Sequence, residues 1–303
     1  LVKRIAKIAF AVLAVFVVAI GIAFGYLYTH QSKIKQVITE NLNQQLNTKV
    51  SVGEIEIDFF SKFPEVSIKF TNVRADEALP QSEQSLFLFT GIFVRFSIWD
   101  LLGEDYTVRK LSFDDGEVNL RVTPDGKVNY IFWKESDSTS GTATSIDLEN
   151  IEINNAKLRY LDEEMDLRVI VYIKHLDVSG GYKNQTFTSE LLGEGILADL
   201  TYEDYDLADS LDLKTSGTLA TQGGTTKISI EKLLVQNVEL NGTGEVRDNF
   251  QRWRIASQNT NLRQWLPIIP ATWRPSIDPA TLGGNADAVF DILLDGKTTE
   301  VVA

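Results

Sequence analysis

VSVGEIEIDFFSKFPEVSIKFTNV, Val50 to Val73, decides how the rest of the chain is read. Ile55, Ile57 and Phe59 alternate with Glu54, Glu56 and Asp58. After Ser-Lys-Phe-Pro, Val66, Ile68 and Phe70 alternate with Glu65, Ser67, Lys69 and Thr71. A period of two sends successive side chains to opposite faces, so the stretch predicts two half-buried strands with one apolar face. Pro64 cannot donate to a ladder, which places a turn between them.

The same writing continues outward, at Ile92 to Ile98, Val118 to Val122, Ile151 to Tyr160, Leu167 to Ile173 and Ile228 to Leu240. Asp-Asp-Gly at Asp114, Pro-Asp-Gly at Pro124, Asn-Asn at Asn154 and the Gly pairs at Gly180 and Gly223 are expected to mark turns. Between about Lys49 and Asp248 no helical period would lay a helix layer over the apolar face. The predicted fold is therefore mainly β, a long antiparallel sheet with one wet face. Ser136 to Ser145 is polar and aperiodic, and is expected to link two β modules, 49–135 and 146–303. In the second, Trp265, Leu266, Ile268, Ile269 and Trp273 gather among three prolines. Residues 261–275 should form a short helical wedge closing the sheet, with a membrane-dipping loop as the sharper alternative.

Upstream of the strands, Ile8 to Tyr28 carries no charge and Lys3, Arg4 and Lys7 precede it. At ~1.5 Å per residue the run is long enough to cross a bilayer as a helix. The basic flank predicts a cytoplasmic N-terminus, and residues 1–30 read as an uncleaved single-pass anchor rather than a signal peptide. Ile34, Val37, Ile38, Leu42 and Leu46 form one helical stripe. Residues 31–48 are thus expected to be an amphipathic helix capping the sheet, in preference to one lying on a membrane.

The 303 residues carry a formal charge of −13, no Cys and two His. Such acidity disfavours nucleic acid as a partner, since phosphate contacts need clustered Lys and Arg. The missing thiols exclude disulfides, thiolate nucleophiles and Cys-based zinc sites. His30 and His175 stand apart, the latter expected at a strand end. The carboxylate runs Asp162 to Asp166 and Asp114–Asp115 fall where turns are expected, as solvated hairpin tips. No Gly-rich loop precedes a helix as a phosphate cradle must. No enzyme, metal or cofactor is predicted.

The whole layout resembles the AsmA family of Gram-negative envelope proteins, to which TamB-related proteins are linked. The likeness lies in a basic start, one apolar segment, an amphipathic stretch, and then the quoted V-x-V-G-x-I-x-I…F-P…N-V pattern. VRFSIWDLLGEDYTVRKLSFDDGEVNL, the D-G-x-x-N element at Asp125, Gly126 and Asn129, and LENIEINNAKLRYLDE continue it. Val128 stands where the family often has an aromatic.

The resemblance implies a bent, taco-like β-groove whose concave face holds phospholipid acyl chains. It implies an inner-membrane anchor, a periplasmic body and a role in phospholipid transfer or outer-membrane homeostasis. The alternative is a scaffold or chaperone for outer-membrane protein assembly, partnered by an outer-membrane or periplasmic protein. Val66, Ile68, Phe70, Val118, Leu120, Val122, Leu158, Tyr160, Val169, Val171 and Ile173 are expected to face that concavity. With Val301 and Val302 at its end and no initial Met, the sequence reads as the N-terminal portion of a longer chain.

Overall fold

A computed structural model of the chain describes residues 48–58, 65–79, 84–97, 108–131, 150–183, 186–247, 250–294 and 299–302. They form a single sheet, and no described helix is longer than a single 3-10 turn or so. The strands are β1 (Val50–Ser51), β2 (Ile55–Asp58), β3 (Glu65–Asp76), β4 (Ser85–Ser97), β5 (Val108–Val122), β6 (Asn150–Asp162) and β7 (Leu167–Lys183). They continue as β8 (Thr186–Tyr202), β9 (Tyr205–Gln222), β10 (Thr225–Val235), β11 (Val238–Arg247), β12 (Phe250–Asn261), β13 (Asn285–Leu294) and β14 (Thr299–Val302). Spatial order follows chain order from β3 to β14, while β1 and β2 both pair with β3.

Every pair is antiparallel except β5 with β6, which run parallel from Lys110↔Asn150 to Val122↔Asp162. The two expected modules are thus one sheet. The polar linker between them lies outside the described residues.

Several turn signals prove to lie inside strands. Asp114–Gly116 is within β5, Asn154–Asn155 within β6 and Gly180–Gly181 within β7. Asp115 and Asn155 have φ of 53° and 51°, and Asn72 on β3 has 48°. Asn and Asp tolerate this left-handed conformation, and here it interrupts a strand instead of reversing the chain. The flanking register sets Asn72 level with Thr90, Thr90 with Asp115 and Asp115 with Asn155, so the interruptions form one line. Each resets the alternation. Phe89 and Ile92, three apart on β4, therefore share a face, and the Phe89 and Phe113 rings meet at 5.1 Å although Phe113 pairs with Ile92.

Real reversals use other means. Gly223 and Gly224, at φ of 56° and 78°, make the two-residue turn from β9 to β10. Ile228 to Leu240, expected as one strand, is a hairpin reversed at Gln236, whose φ is 54°. Asp162 accepts from the N–H groups of Glu164 (3.1 Å) and Met165 (3.0 Å), capping the turn into β7. His175 lies within β7, not at its end.

The expected helical wedge at 261–275 is two 3-10 turns, Leu262–Trp265 and Arg274–Ser276. Prolines remove the donors a longer helix would need. Asn261 and Gln264 form a reciprocal cap on the first turn.

The single-pass inner-membrane placement needs correction: no helix of the described residues is long and apolar enough to cross a membrane. Ile8 to Tyr28, which motivated it, and the amphipathic stretch up to Asn47 lie outside those residues.

Candidate functional site

Cross-strand partners point to the same side of a sheet, so the register identifies its faces. From Ile68 the ladder runs Ile68↔Val94↔Leu111↔Ile151↔Val178↔Leu191. It continues Leu191↔Gly217↔Ile230↔Gly242↔Ile255↔Phe290. The row crosses β3 to β13 without one polar side chain. At ~4.8 Å per strand it spans roughly 48 Å. All its members are half-buried and none is fully buried.

Parallel rows repeat the pattern. Ala75, Phe87, Val118, Leu158, Val171, Leu197 and Leu211 form one, and Val73, Phe89, Gly116, Ala156, Ile173, Gly195, Leu213 and Val235 another.

Among the described elements, substantial packing joins only ladder neighbours. Val50, Val52, Ile55, Val73 and Ala75 form a buried cluster, with Ile68, Phe70, Phe87 and Ile92 packed against it, and Phe89, Ala156, Leu211, Val238 and Leu240 are also buried on this face. Elsewhere the apolar face has no second described layer over it.

Glycines shape this face. A Cβ on Gly217 would come within 2.3 Å of the Ser229 carbonyl oxygen, and one on Gly242 within 2.3 Å of that of Arg254. At Gly244 it would enter the Trp253 ring at 2.5 Å. The alternation Gly217, Ile230, Gly242, Ile255 leaves each isoleucine without a side chain on one or both flanks.

Ten of the eleven residues singled out by sequence fall on this face by register; of Val66 the backbone pairing is described. Val118 and Leu120 stand opposite Leu158 and Tyr160, and these opposite Val171 and Val169. Ile173 pairs with Ala156, Ile68 and Phe70 with Val94 and Ile92, and the Val66 backbone with Phe96. Val122 closes the upper end, buried at 7% exposure and level with Asp162. The Tyr160 hydroxyl donates to Asp162 Oδ2 at 3.0 Å; burial and that carboxylate push its pKa up, so it stays protonated.

Sequence reasoning missed Leu111, Phe113, Ile151 and Ile153, because left-handed Asp115 and Asn155 reverse the parity beneath them, and Leu176 and Val178, because a register shift between Ile173 and His175 does the same on β7. It named no face residue on β8 to β13, although Ile228 to Leu240 was read as alternating strand. Their signal was present, as alternating Leu, Ile and Gly.

The other face is polar. Asn154 Nδ2 donates to Asp114 at 2.9 Å, and Asn154 Oδ1 lies 2.7 Å from His175 Nδ1. Glu152, His175 and Asp177 bring ligand-type atoms within 4.8 Å of one another. These groups are already engaged, Glu152 by Lys110 and the Ser112 hydroxyl, Asp177 by Asn150 Nδ2. Burial raises the Glu152 carboxyl, but the adjacent Lys110 ammonium and Ser112 outweigh it and hold the group below its ordinary value.

At the strand ends Asn129 is fully buried. Its Oδ1 accepts from Arg121 N–H at 2.8 Å; its Nδ2 donates to Glu77 Oε2 at 2.9 Å and Asn119 O at 2.8 Å. This pins the segment after β5 and explains the Asn of the D-G-x-x-N element structurally.

No protein-family model, curated protein or solved structure matches the chain.

Proposed function

We propose that the apolar face is a groove that binds lipid acyl chains, shielding them from water without catalysing a reaction. The observation that carries this is the unbroken apolar row from Ile68 to Phe290, half-buried throughout. A sandwich of this size would bury such a row completely. Each methylene removed from water contributes about 0.8 kcal/mol. An acyl chain laid on these residues therefore covers them and itself. The row has no polar landmark, so a chain can shift along it at little cost, as transfer requires. The polar opposite face keeps the sheet dispersed. The resemblance to the AsmA family favours the same occupant, a phospholipid.

Native mass spectrometry of the full chain purified without added lipid, with titration of a fluorescent fatty acid, tests the proposal. Bound phospholipid and saturable probe binding are expected. Charges at Val171 and Ile230 should abolish probe binding while the sheet stays folded. A folded chain that takes neither lipid nor probe, or charged variants that bind as wild type, overturns it.

A further inference from the structure

The two ends of the strands differ. At the end where β6 and β8 finish, Met165, Tyr202, Tyr205 and Trp273 are 41%, 38%, 55% and 50% exposed. The register makes them neighbours: Leu167 pairs with Tyr202, and Glu203 N–H donates to Asp166 O at 2.8 Å, joining the two turns. The segment around Trp273 reaches the same tip, where Pro270, Ala271 and Arg274 line a cavity of about 410 Å³ with Asp206, Ala208 and Asp209. Described residues at the opposite end, including Gln222 to Thr225, Arg247 and Phe250, contain none of the large exposed hydrophobics.

Glu164, Asp166, Glu203, Asp204, Asp206 and Asp209 lie on the same two turns and the first part of β9, and none forms a salt bridge among the described residues. The nearby cations are spent. Arg121 holds Glu163, Arg168 holds Asp199, and Arg274 donates to the carbonyls of Ile269 and Pro267. Elsewhere in the sheet aromatic rings are covered by cations, Phe250 by Arg247 at 4.6 Å and Tyr172 by Lys157 at 5.3 Å. No described cation covers Tyr202, Tyr205 or Trp273.

We propose that this rim docks a cationic protein segment, whose Arg or Lys side chains meet the six carboxylates and the open aromatic faces while its apolar residues seat beside them. Aromatic residues in a carboxylate surround suit a guanidinium or ammonium. They disfavour an anionic lipid surface, which the same acids repel. By register Tyr202 and Tyr205 share the side of Leu167 and the apolar face but lie past its last rows, at the strand ends, and the proposed docking does not depend on what that face binds.

The test is fluorescence anisotropy on the full chain with a labelled peptide alternating Arg and Leu, beside a counterpart with Glu in place of Arg. Only the cationic peptide should bind. The triple variant Tyr202→Ser, Tyr205→Ser, Trp273→Ser, which alters no charge, should weaken binding at least tenfold. Tyr172→Ser should leave it unchanged. Should the triple variant not fold, Glu203→Gln with Asp204→Asn at the turn should weaken binding at least threefold. Equal binding by rim and Tyr172 variants means diffuse charge attraction and overturns the proposal. So does failure of the cationic peptide to bind, or flotation with phosphatidylcholine–phosphatidylglycerol vesicles that depends on the same three aromatics.

Discussion

Replacing Ile230 by Asp separates an open face from a closed core. Ile230 is half-buried, and its ladder neighbours on either side are Gly217 and Gly242, so a carboxylate there keeps access to water. The loss has two parts. A fully buried Ile is stabilised by about 1.5–3 kcal/mol, so half-burial forfeits roughly 1–1.5. The weaker strand preference of Asp adds up to about 1 kcal/mol. The sum, about 2 kcal/mol, leaves the sheet folded and moves the urea midpoint down by about 1 M, at ~2 kcal/mol per M. Asp in place of Phe89, which is 2% exposed, must instead bury an unpaired charge and costs several kcal/mol more. Urea titration followed by far-ultraviolet circular dichroism reads both. If Ile230→Asp costs as much as Phe89→Asp, the face is covered and the reasoning fails.

Other outcomes follow from the same geometry. Asn129→Ala strands two backbone groups and the Glu77 carboxylate, and should cost about 3–5 kcal/mol by denaturant titration; a loss below about 1 contradicts the buried network. Gly242→Ala forces a Cβ against the Arg254 carbonyl and should cost about 1–3 kcal/mol. Asn155→Val, placing a β-branched residue at φ 51°, should lose about 1–2 kcal/mol while Asn155→Gly stays nearly neutral in the same titration.

Glu152 gives a pH dependence. Its folded pKa is depressed, so its contribution is present above the ordinary 4.5 and lost as pH falls through the lower folded value. The urea midpoints of wild type and Lys110→Gln should therefore differ at pH 7 and converge towards pH 3. A constant gap means the pair does not act this way.

The strands and their apolar parity were legible wherever alternation ran unbroken, as at Val66–Phe70 and Leu167–Ile173. What could not be read was what Asp115 and Asn155 do. The dipeptides that reverse a chain also supply a left-handed residue within a strand, and only pairing with neighbouring strands distinguishes the two. That choice set the parity of Leu111, Phe113, Ile151 and Ile153, which local pattern assigns to the wrong side. The parallel β5–β6 pairing was likewise invisible, being a property of the long-range ladder. Half-burial of the face could not be foreseen either, since an alternating strand looks the same under a second layer or beneath water.

Site-resolved photocrosslinking with a diazirine-bearing fatty acid tests the central claim most directly. Labels are expected on Val171, Leu191, Leu213 and Ile230, spread over several strands but confined to one parity. Labelling of Tyr172, Leu192 and Lys214 on the opposite face to the same extent would contradict an acyl-binding groove.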